Sequence, residues 1–180
     1  MNCKKIMRGI LGITAAAMLF CGCGRKGTAL DDKLTDYKVS GSDSISLEYM
    51  NSDDHKFVTI EKDDDKFDEV QKKLNDVFDN AGTKETGFKS EKLDENFQGP
   101  AVSYTTKTSD GDYSIITVDW NTMKGYATLY KTTLTSEELN ACYSDSGSLN
   151  HLGSREELGT YYFEASDTDE LNKVFKEYCE

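Results

Sequence analysis

The chain has 180 residues, 37% hydrophobic and 30% charged, with a formal net charge of −12. That length fits one domain with a core large enough to stand without metal or disulfide staples. An acidic balance without clustered Lys and Arg argues against nucleic acid as a partner, since phosphate binding needs concentrated basic side chains. No motif calls for a cofactor.

The first 23 residues carry the most information. Lys4, Lys5 and Arg8 precede an apolar stretch, Gly9–Phe20, which closes on Cys21-Gly22-Cys23. A charged start, an apolar centre and a small residue before a cut are the layout of an export signal. With Gly22 directly ahead of Cys23, the segment resembles a bacterial lipoprotein signal, and the resemblance covers this segment alone. It implies cleavage before Cys23 and a diacylglycerol on its sulfur, leaving the rest of the chain lipid-anchored on the extracytoplasmic side of the cell membrane. That family usually has Leu three residues before the cysteine and a small residue two before; Phe20 and Cys21 stand there in this chain. A cut before Cys21 would put bulky Phe20 at a small-residue position. The apolar run from Gly9 to Gly24 falls short of the ~20 residues that span a bilayer. Ordinary secretion with a cut after Ala17 leaves the Cys-Gly-Cys unexplained. Arg25 and Lys26 would add attraction to anionic headgroups. Loss of the three basic residues of the signal takes the net charge to about −15, which repels the body from such a surface.

Residues 1–22 are thus expected as signal, 23–42 as lipidated cysteine and flexible tether, and 43–180 as a single domain. Gly24–Ser42 has few apolar residues and little periodicity. Ile45, Leu47 and Tyr49 alternate with polar residues and predict a strand. Asn51–His55 is a turn by composition, and Phe57–Ile60 a second strand, giving a hairpin. Asp63, Asp64 and Asp65 precede a helix whose Phe67, Val70, Leu74, Val77 and Phe78 share one face. Thr83–Gly99 stays open between strand and loop, with Pro100 at its end. A three-stranded meander follows: Val102–Thr106, Tyr113–Trp120 and Tyr126–Lys131, with turns at Ser109–Asp112 and Asn121–Gly125. Thr135-Ser-Glu-Glu138 has the pattern of a capping box and opens a short helix with Leu139, Cys142 and Tyr143 inward. Ser154–Glu157 repeats the pattern, but Gly159 limits it to about one turn. Thr160–Ala165 reads as a strand. Asp167–Glu170 caps a last helix with Leu171, Val174, Phe175 and Tyr178 inward. The expected fold is α+β, a mainly antiparallel sheet of about six strands with about three helices packed on one face.

Candidate chemistry is sparse. The acid clusters at 51–54, 63–65 and 109–112 could offer oxygens to calcium, but they lack the alternating ligands and closing Glu of a calcium loop, and caps and turns account for them. His55 and His151 have no zinc-ligand spacing around them. A Cys142/His151 nucleophile pair is undercut by Cys142 lying on an apolar helix face. Serine-nucleophile motifs and phosphate-binding loops are absent. Carboxylate pairs for glycoside cleavage are unreadable among 33 acids. Cys142 and Cys179 form either a disulfide, as exported pairs often do, or two buried thiols. Tyr104, Trp120, Tyr126 and Tyr161 are either an aromatic surface for an envelope protein, peptide or glycan, or simply residues suited to half-buried strands. These features lead to the expectation of a lipid-anchored, non-catalytic binding module at the cell envelope. The alternatives are an envelope hydrolase using paired carboxylates and a calcium-responsive module.

Overall fold

Polar–apolar alternation along six long strands produces an antiparallel sheet with two unlike faces. The computed structural model describes residues 30–50, 55–79, 83–84, 99–121, 125–145 and 154–179. The strands are β1 (Ser44–Met50), β2 (His55–Glu61), β3 (Thr83–Lys84), β4 (Pro100–Lys107), β5 (Tyr113–Asn121), β6 (Tyr126–Leu134) and β7 (Glu156–Tyr162). They are ordered β2-β1-β4-β5-β6-β7-β3, with β3 a two-residue edge. The helices are α1 (Leu30–Asp36), α2 (Phe67–Asp79), α3 (Ser136–Asp145) and α4 (Ala165–Cys179). The α+β class and the antiparallel sheet are as the sequence predicts, while the expectation of about three helices on one face is corrected: four α-helices are described, and α3 packs on the face opposite α2 and α4. Within Thr83–Gly99, Thr83–Lys84 is strand, while residues 85–98 lie outside the described set.

The first face is apolar. In one row Leu47, Val102, Val118 and Leu129 are directly opposed across four strands; in the next, Ile45, Tyr104 and Ile116. Against it α2 buries all five residues of its predicted stripe, and α4 buries Leu171, Val174 and Phe175. Each such side chain withdrawn from water contributes ~1.5–3 kcal/mol. Lys73 of α2 bonds Glu177 of α4 at 2.7 Å across the outer helix surface.

The folded body begins earlier than the sequence suggests. Leu30 is fully buried, and Leu34 and Val39 are 4% and 5% exposed in the same core, so α1 corrects the expectation of a tether running to residue 42. Two leucines spaced i, i+4 mark only one helical turn, too short a pattern to announce an amphipathic helix. Leu34→Ala should therefore lower unfolding free energy by about 2 kcal/mol, toward the low end for a core leucine because the segment can relax. A chemical-denaturation midpoint unchanged by that substitution would restore the tether.

Two local readings also shift. Ser154–Glu157 is not a helical turn, because β7 starts at Glu156 and pairs with β6 around an irregularity at Leu129/Tyr130. Helix α4 starts at Ala165, ahead of Asp167, and the Glu164 N–H donates to Asp167 Oδ2 at 3.0 Å. Asp167 thus reaches back from the third helical position instead of standing at the cap. The capping box of α3 forms as read: the Thr135 N–H donates to Glu138 Oε2 at 2.8 Å, and the Glu138 N–H donates to Thr135 Oγ1 at 3.2 Å.

The second face carries α3 toward one end, where Leu139 meets Ile115 and Leu134 beside Phe57, Tyr113, Cys142 and Tyr143. Elsewhere this face is polar and still buried. Ser46, Glu48, Ser103, Thr117, Asp119 and Thr128 are each 4% exposed or less.

Candidate functional site

Trp120 faces the apolar side of β5, so its neighbour Asp119 points to the second face. Register places Asp119 in one row with Glu48, Ala101, Thr128 and Thr160, spanning β1, β4, β5, β6 and β7. Ala101 is the small residue between the two acids. Two strand spacings separate the Glu48 and Asp119 backbones, about 10 Å.

Asp119 is 4% exposed. Its Oδ2 accepts a 2.8 Å hydrogen bond from Arg155 Nη1, while Oδ1 has no partner. Arg155 enters just ahead of β7, with its guanidinium carbon 4.5 Å from the centre of the Tyr130 ring. Burial pushes the Asp119 carboxyl up to about 6; Arg155 opposes this rise and Glu48 adds to it. Burial likewise pushes the Tyr130 phenol up to about 12. Glu48 is 3% exposed, with Oε1 3.0 Å from His55 Nε2.

The neighbouring oxygens of the row are also buried. Thr160 Oγ1 makes no hydrogen bond. Thr128 Oγ1 lies near the Tyr130 hydroxyl, but not in a bonding geometry. One row over, the hydroxyls do pair: Ser46 with Thr59 at 3.0 Å and Ser103 with Thr117 at 2.9 Å. Chemically, the row offers a carboxyl that is part-protonated near neutral pH, a guanidinium beside it, and hydroxyls able to donate or accept.

No family model matches this chain. No curated protein and no solved structure matches it either.

The residues singled out from sequence fall elsewhere. Tyr104, Trp120, Tyr126 and Tyr161 are 1%, 0%, 4% and 0% exposed, which corrects the expectation of an aromatic binding surface. Tyr104, Trp120 and Tyr161 belong to the first-face core. Tyr126 sits on the second face, its ring 6.5 Å from that of Tyr162. Parity requires Tyr161 and Tyr162 to point to opposite sides, and only Tyr162 is partly exposed.

Cys142 and Cys179 are not joined in a disulfide. Cys142 packs beside Ile115 and Cys179 against the opposite core, so the sheet stands between them. A disulfide needs Cα atoms within ~7 Å, which corrects that alternative. Burial pushes the Cys179 thiol up to about 11, away from nucleophilic use. Alkylation of the denatured, unreduced protein should label both thiols, as read by peptide mass; a Cys142–Cys179 linked peptide would contradict this arrangement.

The acid clusters behave as caps and turns. Asp64 Oδ1 accepts from the Lys66 N–H at 2.9 Å ahead of α2. Thr108 and Asp112 close a turn through Gly111, whose φ of 90° suits glycine. Among the described residues no group of three His, Cys, Asp or Glu could hold a metal ion. Also among them, no helix is long and apolar enough to cross a membrane. Cys23 with its signal, the cluster at 51–54 and His151 lie outside the described residues.

Sequence reasoning passed over Asp119, Arg155, Glu48, Thr128 and Thr160. One signal was available: Asp119 is a charged residue inside the apolar run Ile115–Trp120. Alternation explains it as a solvent-facing position, and its burial follows only from the tertiary fold.

Proposed function

We propose that this chain is a binding module tethered by lipid on Cys23 to the extracytoplasmic side of a cell membrane. Its recognition element is the buried polar row of the second face, entered beside Arg155, which bonds Asp119 and keeps 24% of its side chain exposed, and its ligand is a small polar molecule or the polar end of an envelope peptide or glycan. The supporting observation is the row Asp119–Thr128–Thr160, where three adjacent strands each carry a buried oxygen without a partner. Such atoms cost ~1–3 kcal/mol each, folded proteins keep few of them, and the donor groups of a ligand would satisfy them.

The test is thermal melting with soluble envelope fragments. A ligand at 100-fold its Kd should stabilise by ~2.7 kcal/mol, and Thr160→Val should remove the shift while leaving the fold intact. No shift with any fragment, or a shift that survives Thr160→Val, would remove this face from the reading. Tethering has its own test: Cys23→Ser should move the protein from the membrane fraction to the soluble one.

One observation favours the hydrolase alternative. Asp119, its carboxyl raised toward neutrality, shares a row with a second acid, Glu48. In that case release of reducing ends from wall glycan should be lost with either Glu48→Gln or Asp119→Asn. Binding without release leaves the module non-catalytic.

A further inference from the structure

Taking the second-face row as the recognition element, we propose that its ligand is a polyol bearing a primary ammonium, such as an amino sugar with an unacetylated nitrogen. The cation sits at Asp119 and the hydroxyls run toward Thr160. Three oxygens of the row are buried without a partner: Asp119 Oδ1, Thr128 Oγ1 and Thr160 Oγ1. They differ in what they require. An ionised carboxylate only accepts, so Asp119 Oδ1 needs a donor, whereas a threonine hydroxyl can donate or accept. A phosphate or carboxylate ligand would bring acceptors alone and set them against Asp119.

Charge selects an ammonium over a neutral donor. Glu48 and Asp119 share the row, and the guanidinium bonded there is that of Arg155, on Asp119 Oδ2. Burial and the Glu48 charge raise the Asp119 carboxyl against the pull of Arg155. The row is therefore short of positive charge, which an ammonium at Oδ1 supplies. A hydrogen bond between two charged groups is also roughly twice as strong as a neutral one. The formal net charge of −12 draws cations toward the chain from a distance.

Spacing sets the rest of the ligand. Asp119, Thr128 and Thr160 stand on three successive strands in direct register. The backbones of the outer two are about 10 Å apart, so a nitrogen seated beside Asp119 leaves Thr160 unmet. Hydroxyls on the neighbouring carbons continue along the row, and each can donate or accept as Thr128 and Thr160 do. The polarity of the ligand thus copies that of the row, charged at the Asp119 end and neutral at the Thr160 end.

Titration of Tm for the full-length chain at pH 7, above the Asp119 midpoint of about 6, tests the proposal with glucosamine, N-acetylglucosamine and cyclohexylamine. Glucosamine should raise Tm saturably. N-acetylglucosamine keeps ring hydroxyls and loses the charge; cyclohexylamine keeps the charge and loses the hydroxyls. Each should bind at least about tenfold more weakly. Asp119→Asn retains an accepting oxygen without charge and should weaken glucosamine about tenfold or more, the loss of one hydrogen bond to a charged group. Thr160→Val should weaken it as well. A cooperative ligand-free melt of each variant shows that the fold is kept. N-acetylglucosamine or cyclohexylamine binding as well as glucosamine, or glucosamine binding indifferent to Asp119→Asn, would overturn the proposal while a shift sensitive to Thr160→Val keeps the row as the site. A glucosamine shift that survives Thr160→Val would remove the row itself. No glucosamine shift, with envelope fragments still acting through Thr160, would overturn the ligand class alone.

Discussion

Trp120→Ala should lower unfolding free energy by about 3–5 kcal/mol, the range for removing a large buried aromatic side chain. Trp120 has no exposed surface and sits where three elements meet. Its ring centroid lies 3.6 Å from that of Phe163 and 6.2 Å from that of Phe78 on α2. Its Nε1 donates to Thr168 Oγ1 on α4 at 3.2 Å. Alanine there leaves a cavity that a central strand cannot close and strips the Thr168 hydroxyl of its donor. For a domain of this size the loss corresponds to a fall in Tm of about 10 °C. Tyr104→Phe is the matched control. The Tyr104 ring is as deeply buried, but its hydroxyl has no hydrogen-bond partner. Removing an unsatisfied buried hydroxyl while keeping the ring should leave Tm unchanged or slightly raised. If Trp120→Ala instead melted like the parent and lost only ligand capture, the indole would be a surface residue and the core assignment would fail.

The contrast between Trp120 and Asp119 shows what one sequence can reveal. Ile116, Val118 and Trp120 share strand parity, and parity alone assigns the tryptophan to the apolar face. Reading it as a binding surface set that rule aside in favour of residue type. The five-residue stripe of α2 was legible because its spacing repeats over three turns and Asp64 closes a local turn just ahead of it. The box at Thr135 was legible because both of its hydrogen bonds lie within four residues. Leu30 and Leu34 were not, since their burial depends on the α2 surface they meet, far along the chain. The second face was hardest. Alternating Ser, Thr, Glu and Asp on a strand normally means water on that side. Burial of the row from Glu48 to Thr160 is a tertiary property, and neither composition nor period encodes it.

That burial makes the second large prediction a pH effect of uncommon sign. An Asp titrates near 3.9 in an unfolded chain, while Asp119 is pushed up to about 6 in the fold. The native state therefore holds its proton more tightly than the unfolded state. The resulting stabilisation is fully present below about pH 4 and is lost as pH rises through about 6. The full shift corresponds to at most ~3 kcal/mol, at 1.36 kcal/mol per unit. Asp119→Asn mimics the neutral acid. It should match the parent near pH 4 and gain on it progressively toward pH 7, less whatever Arg155 loses with its partner. Arg155 keeps 24% of its side chain exposed and can turn toward water. The comparison must be the difference between the two proteins. Glu69 and Glu138 are held below the usual carboxylate range, by hydrogen bonds from Lys73 and from the Thr135 N–H respectively, and they act in the opposite direction. Both are present in parent and variant and cancel. A flat difference between pH 4 and 7 would mean that Asp119 is solvated. Arg155→Gln gives the complementary result. Without the guanidinium, only burial and the Glu48 charge act on Asp119, so the midpoint of the difference curve should move above 6. A midpoint moving down would show that the 2.8 Å contact between Arg155 and Asp119 does not hold the charge of this row.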